Sequence, residues 1–324
     1  MKALICRSFG NPAQVLDLAE IPAPPLMAGS VRIKVAAAGV NFADMLMIGG
    51  KYQVKPELPF VPGFELAGTV LETASGVTHV KAGDRVLATV GPGAFAEEAI
   101  AKAEEVVPIP ETMDFVTAAT FPVAYGTSHL GLTHKARLQA GETLLVHGAA
   151  GGVGITAVEC AKAMGATVIA TAGGADKVQV ALDHGADFGI DYKSEDFVAI
   201  VKERFGGVDV VYDPVGGEIF DKSLRAVKAG GRILVVGFAS GTTPQIPANI
   251  LLVKNIDVHG YYWGGYRSIN PKIMRDSLAE CLSWWEQGRL KTHVSHQLPL
   301  SEAAKALDLL KSRGSTGKVA LLVG

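Results

Sequence analysis

The segment Thr143-Leu144-Leu145-Val146-His147-Gly148-Ala149-Ala150-Gly151-Gly152-Val153-Gly154 has the residue types and spacing best suited to chemistry. An apolar strand runs into a glycine-rich turn, and the turn opens a helix. A dinucleotide pyrophosphate requires such a place, because it sits on a helix N-terminus against bare backbone N–H groups. A side chain at the turn would block it, and one at the last glycine would push the helix off the strand. The pattern reads Ala149-x-Gly151-x-x-Gly154, so alanine replaces the first glycine of G-x-G-x-x-G and leaves the tight turn less permissive. Gly151, Gly152, Val153 and Gly154 are the expected phosphate-facing residues. Val153, Ala157, Cys160 or Ala161, and Met164 recur at helical spacing as the face turned to a sheet, which makes Cys160 a packing residue.

The next strand bears on which dinucleotide is bound. NAD sites place an acidic residue about 20 positions further on, where it accepts from the ribose diol. Here the strand ends Ala170-Thr171-Ala172-Gly173-Gly174-Ala175-Asp176-Lys177, with small residues at the acidic place. A carboxylate would repel a 2′-phosphate, whereas glycine admits it. Lys177 supplies a cation within reach, and Tyr192, ending the third strand, adds a hydroxyl. This favours NADPH over NADH, with Asp176 as the one competing carboxylate.

Three later segments should complete the cofactor site, since ligands bind beyond the carboxyl ends of parallel strands. These are Asp213-Pro214-Val215-Gly216-Gly217, Val235-Val236-Gly237-Phe238-Ala239-Ser240 and Tyr261-Tyr262-Trp263-Gly264. Gly216, Gly217 and Gly237 permit close approach. Val235, Val236, Phe238 and Ser240 would line the nicotinamide side. The aromatic run of Tyr261, Tyr262 and Trp263 would shape an acceptor pocket or pack at a subunit interface.

These motifs need a frame. From Thr143 onward strand patterns alternate with helical ones, which indicates a parallel, doubly wound sheet. Before Pro122 the chain is β-rich and punctuated by Pro and Gly, as in an antiparallel sandwich or barrel. After Gly260 the alternation stops. A long helix is expected over Ile269–Gln287, a strand over His296–Leu300, a helix over Ser301–Lys311 opened by a serine cap, and a last strand over Gly317–Val323. The α/β unit is thus flanked by two pieces of something else, and the tail is expected to rejoin the first piece.

Composition agrees. At 324 residues, 48% hydrophobic and 19% charged, the chain can build two cores. A net charge of −2 gives no basic surplus for nucleic acid or an anionic membrane. Cys6, Cys160 and Cys281 form no CxxC, so a reducing compartment is expected, and the apolar run after Met1 is too short for a signal peptide. With no membrane-spanning run, the expectation is a cytoplasmic protein.

Several further stretches carry a family resemblance over essentially the whole chain: Gly39-Val40-Asn41-Phe42-Ala43-Asp44, Leu58-Pro59-Phe60-Val61-Pro62-Gly63-Phe64-Glu65, Lys81-Ala82-Gly83-Asp84-Arg85-Val86 and Gly314 to Leu322. With the glycine cradle, they resemble the medium-chain dehydrogenase/reductase superfamily, in its zinc-free quinone oxidoreductase (zeta-crystallin-like) branch. The resemblance implies an α/β protein with a GroES-like β-rich domain and an inserted Rossmann domain. Residues 1–122 would form the first part of the GroES-like catalytic domain, 123–262 the NADPH-binding Rossmann domain, and 263–324 the return.

Zinc-dependent relatives carry Cys where this chain has Asn41 and His where it has Phe64, and no cysteine lies between Cys6 and Cys160. Asn and Phe supply neither charge nor a good zinc donor, so no metal is expected. His293 and His296 are read as loop surface residues. By resemblance, Asn41 would lie near the nicotinamide ribose, and Tyr52 would line the substrate site as a phenol able to donate to a developing enolate. Lys318 would stand near the cofactor. A homodimer would form through the last parallel strand, Ile256–Gly260.

Without a Lewis acid, hydride delivery to an electron-poor acceptor is favoured over alcohol oxidation. The expected activity is NADPH-dependent reduction of a quinone or other enone. The alternatives are an enoyl-thioester or enone reductase, and a low-turnover NADPH-binding protein of the crystallin kind.

Overall fold

In the computed structural model, which describes residues 1–324, the Pro- and Gly-bounded apolar runs form short strands. The first stretch carries β1 (Lys2–Cys6), α1 (Pro12–Val15), β2 (Leu16–Glu20), β3 (Ser30–Val40), α2 (Phe42–Ile48), β4 (Glu65–Thr73), β5 (Arg85–Thr89), β6 (Glu98–Lys102), β7 (Val106–Pro108) and α3 (Phe115–Ala119). Next come α4 (Pro122–Leu130), β8 (Thr143–Val146), α5 (Gly152–Ala163), β9 (Thr167–Ala172), α6 (Ala175–Asp183), β10 (Phe188–Asp191), α7 (Phe197–Phe205) and β11 (Val208–Asp213). They are followed by α8 (Glu218–Ala226), β12 (Val227–Val235), α9 (Ala248–Lys254), β13 (Asp257–Gly260), α10 (Tyr266–Ile269) and α11 (Pro271–Glu286). The tail holds β14 (Val294–Pro299), α12 (Ala303–Lys311) and β15 (Lys318–Leu322).

Two compact units result, Met1–Val123 with Thr292–Gly324, and Ala124–Lys291. In the first, a seven-stranded sheet runs β14-β15-β3-β4-β5-β7, with β6 also paired to β3. The tail enters this sheet as β15, antiparallel to β3 with Val319 opposite Val40. Alternate residues of β3 (Val31, Ile33, Val35) meet Leu66 and Val70 of β4, Val86 and Ala88 of β5, and Val319 and Leu321 of β15 in one core. Each fully buried aliphatic of this kind contributes about 1.5–3 kcal/mol.

The second unit is a six-stranded parallel sheet in the order β10-β9-β8-β11-β12-β13. Ile169, Leu145, Val211 and Ile233 sit opposite one another on four adjacent strands and form a continuous buried row. The strand order reverses between β8 and β11, which is where an open α/β sheet binds its ligand.

Three expectations need correcting. The chain does not rejoin the first unit at 263; it does so at Thr292. Helix α11 is held in the second unit because Ser277 Oγ lies 2.8 Å from His129 Nδ1 of α4 and Trp284 packs edge-on to His129 with ring centroids 4.9 Å apart. Ser301 does not cap α12: a 3₁₀ turn over Leu300–Glu302 precedes it, and the N-cap Glu302 makes no side-chain cap bond. His296 lies in β14 rather than in a loop, and His293 Nε2 lies 2.9 Å from Thr316 Oγ1. No helix is long and apolar enough to cross a membrane.

Candidate functional site

Three helices of the parallel sheet begin in the same unusual way. α5, α6 and α8 open on Gly151, Gly174 and Gly217, and none has a side-chain cap. They follow β8, β9 and β11, the strands around the switch point. By contrast α7, which follows the edge strand β10, is capped by Asp196, whose carboxylate accepts from the Val198 and Ala199 N–H groups. A helix start without a side-chain cap leaves its first-turn donors open to water or to an external anion.

The glycines have distinct jobs. Gly148 carries the left-handed turn at φ 58°, so Ala149 at the first motif position is spared a positive φ. That is why the departure from G-x-G-x-x-G is tolerated; Ala149 N donates to Thr171 O at 3.0 Å and ties the turn to β9. A Cβ on Gly154 would overlap Gly148 O and lie 2.8 Å from Ala149 Cα, so only glycine lets α5 pack this close to the turn. A Cβ on Gly173 would meet the Tyr192 hydroxyl at 2.6 Å, which places that hydroxyl over the end of β9. Lys177 lies half-buried in the first turns of α6. Asp191 Oδ1 holds the loop by accepting from Gly174 N at 2.9 Å and Lys193 N at 3.0 Å, and those donors keep its pKa below the usual carboxylate range.

The two loops after β11 and β12 interlock. Asp213 Oδ1 accepts from Val215 N (2.8 Å) and Gly216 N (2.9 Å), although burial raises its pKa. Ala239 N and Ser240 N donate to Pro214 O and Val215 O, each at 3.0 Å. A Cβ on Gly216 would meet Phe238 Cδ1 at 3.0 Å, one on Gly217 would meet Ser240 Oγ at 3.0 Å, and one on Gly237 would meet Pro214 O at 3.3 Å. Gly216, Gly217, Gly237, Phe238 and Ser240 are thereby brought together, with Val235 and Val236 half-buried behind them.

The aromatic run divides. Tyr262 is exposed, but Tyr261 and Trp263 are buried. A Cβ on Gly131 would meet the Tyr261 ring at 3.0 Å and one on Gly126 of α4 would meet the Trp263 ring at 2.6 Å. Glycines along α4 and the turn after it make room for both rings, a match across distant positions that the local sequence does not reveal.

His147 was missed. It directly follows β8, fully buried, with Nδ1 2.9 Å from Thr171 Oγ1 and Nε2 2.8 Å from Ser223 Oγ, and burial drives its pKa down to about 3. It ties β8 to β9 and α8 beneath the cradle. The only signal was a histidine closing an apolar strand.

The first unit holds a different arrangement. Asn41 Nδ2 donates to Glu65 Oε1 (2.8 Å), and Lys318 Nζ donates to Asn41 Oδ1 (2.6 Å), Glu65 Oε1 (2.8 Å) and Val40 O (3.0 Å). All three ammonium protons are engaged by these acceptors. Lys318 is 5% exposed and Glu65 0%. Removing one partner of such a buried pair costs about 3–5 kcal/mol. A Cβ on Gly39 would run into the Glu65 carboxylate and lie 2.5 Å from Ala119 O, so glycine is needed there to admit the charge. Asp44 Oδ2 accepts from Asn41 N at 2.7 Å, and burial pushes its pKa up to about 8. Tyr52 packs its ring 5.5 Å from Phe64. No group of three or more His, Cys, Asp or Glu side chains could hold a metal ion.

Residues 27–111 match the alcohol dehydrogenase GroES-like domain and residues 152–280 the zinc-binding dehydrogenase model, which together define a two-domain dehydrogenase/reductase. The chain is 41% identical to a quinone oxidoreductase-like protein 2 homolog of Nematostella vectensis, over 99% of this chain and 88% of the relative. It is 41% identical to quinone oxidoreductase-like protein 2 of Bos taurus, over 99% and 92%. Escherichia coli quinone oxidoreductase complexed with NADPH superposes with a TM-score of 0.92 at 32% identity, covering 99% of this chain and 100% of that one. The chain belongs to the medium-chain dehydrogenase/reductase superfamily, in its quinone oxidoreductase branch.

The zinc named in one model's description does not fit these residues. Where a thiolate and an imidazole would be needed stand Asn41, whose amide is bonded to an ammonium and a carboxylate, and Phe64.

Proposed function

We propose that this protein is a zinc-free, NADPH-dependent reductase that passes hydride to a quinone or another electron-poor enone. The observation that carries the reading is the trio of glycine-opened helices around the switch point, with the Tyr192 hydroxyl over Gly173 and β9 ending in Ala172 and not in an acidic residue. The solved relative bound to NADPH, matched over nearly the whole chain, supports it. The cradle that a Cβ would fill fits a pyrophosphate: Gly151, Gly152, Val153 and Gly154 would receive it on backbone N–H groups. Gly173, Lys177 and Tyr192 would receive the 2′-phosphate, one by leaving room, one by charge and one by a hydroxyl. Val235, Val236, Gly237, Phe238 and Ser240, with Gly216 and Gly217, would wall the nicotinamide. When bound, NADPH supplies the hydride.

Tyr52 is the proposed donor to the acceptor oxygen. A phenol, with an ordinary pKa of about 10, donates at neutral pH without ionising. Asn41 is proposed to lie beside the nicotinamide ribose. The edge strand β13 and the exposed Leu252 and Val253 of α9 are the proposed homodimer surface, since an uncovered edge and exposed apolar side chains call for a partner. Three free, buried cysteines suit a reducing, cytoplasmic setting.

The test is NADPH oxidation with 9,10-phenanthrenequinone, 1,4-benzoquinone and crotonyl-CoA. Quinone turnover that falls about tenfold or more in Tyr52→Phe, with NADPH affinity unchanged, is expected. Faster thioester turnover would make the protein an enoyl-thioester reductase, and tight NADPH binding without turnover would make it a binding protein.

A further inference from the structure

An amide side chain is a donor at one end and an acceptor at the other, and its direction is usually soft. At Asn41 it is fixed by charge. Oδ1 faces the Lys318 ammonium at 2.6 Å and Nδ2 faces the Glu65 carboxylate at 2.8 Å. Turning the amide over would set NH₂ against the ammonium and the carbonyl oxygen against the carboxylate, two like-polarity contacts in a buried place. The two charges also bind each other at 2.8 Å, and Glu65 Oε2 is itself held by the Val123 N–H at 2.8 Å. The carboxylate is therefore clamped at both oxygens, and the ammonium at all three protons. The Asn41 carbonyl is engaged, and one of its two N–H protons is left over.

We infer that Glu65 and Lys318 are positioning residues that hold the Asn41 carboxamide as a one-way hydrogen-bond donor toward an oxygen of the nicotinamide ribose. This rests on the proposed place of Asn41 beside that ribose. An internal cation does here what a metal does in zinc-dependent relatives: it fixes the group at position 41. The difference is that Lys318 orients a donor and does not polarise a substrate oxygen. A carboxamide pinned in this way selects an acceptor atom, and misalignment of a positioning group by about 1 Å costs up to about a hundredfold in rate.

The experiment compares four variants by melting temperature, NADPH dissociation constant from fluorescence titration, and quinone kcat. Asn41→Ala is expected to lose about tenfold to a hundredfold in kcat, with NADPH affinity weakened by only about threefold, because the phosphate contacts carry most of the binding. Lys318→Met leaves the Glu65 carboxylate unpaired and should lose both melting temperature and kcat. The double variant Glu65→Gln/Lys318→Met removes both charges, which restores the melting temperature but leaves the amide free to turn, so its kcat should stay near that of Asn41→Ala. Lys318→Arg keeps the cation and should retain kcat within about threefold of the native protein. A double variant with native melting temperature and native kcat would reduce the pair to a structural salt bridge and overturn the inference. So would Lys318→Arg with native melting temperature and the kcat of Asn41→Ala. If Asn41→Ala itself kept native kcat and native NADPH affinity, the placement of Asn41 would fail first, and the positioning role with it.

Discussion

The glycine cradle of the second unit and the Asn41–Glu65–Lys318 cluster of the first are built by opposite means. The cradle works by omission. Gly151, Gly174 and Gly217 open three helices without a side-chain cap, and Gly154 is bare because any Cβ would strike the turn below it. The cluster works by occupation, with a buried carboxylate, ammonium and carboxamide saturating one another. A site made of backbone recognises a phosphate through dipoles and N–H groups; a site made of mutually bonded charges holds one side chain in one direction. Stability follows the same division. Filling the cradle strains backbone, whereas breaking the cluster strands a charge.

The largest expected effect is on the cradle. Gly154→Ala forces α5 away from Gly148, and overpacking of this kind costs about 1–3 kcal/mol. NADPH affinity by fluorescence titration should fall about tenfold or more, because the first-turn N–H groups move with the helix. Native affinity in that variant would show that the close helix–turn contact is not needed for binding.

Lys177→Ala is next. A hydrogen bond to a charged group contributes about 1.5–3 kcal/mol, so KM for NADPH should rise about tenfold or more while KM for NADH changes less than about twofold. Equal shifts for both cofactors would remove Lys177 from the 2′-phosphate contact and leave it a helix residue.

The smallest effect belongs to the edge of the cluster. Asp44 has its pKa raised by burial from the ordinary carboxylate value to about 8. Between those values the folded protein holds a proton that the unfolded chain releases. Stability therefore falls as pH rises through this window, and the loss is complete above about 8. Asp44→Asn mimics the neutral acid, so its melting temperature should exceed that of the native protein more at pH 8 than at pH 5. An advantage independent of pH would mean that Asp44 does not take up a proton on folding.

The contrast also explains what the sequence could reveal. The cradle was legible because its requirements are local: strand, turn and helix lie within Thr143–Gly154, and the absence of side chains has a fixed spacing. The parallel sheet was legible for the same reason, since each strand–helix alternation is a short-range pattern. The cluster was not, because residues 41, 65 and 318 meet only when β15 pairs with β3. For Lys318 the resemblance implies only a place near the cofactor; its acceptors Val40, Asn41 and Glu65 lie far from it in sequence. The run Tyr261–Trp263 reads as the wall of an acceptor pocket or as an interface; that Tyr261 and Trp263 pack against Gly131 and Gly126 depends on residues distant in sequence. Alternation ends near 263, yet α11 is kept in the second unit by Ser277 and Trp284, whose partner His129 lies on α4. His147 escaped notice because its value lies in two hydroxyl partners, Thr171 and Ser223, on other elements.

The most direct test of the central claim is the initial rate of NADPH oxidation by 9,10-phenanthrenequinone, measured after exhaustive chelation and again with NADH. A zinc-free NADPH reductase keeps its full rate after chelation and turns over NADH about tenfold more slowly or less. No turnover, a rate restored only by added zinc, or equal rates with the two cofactors would contradict it.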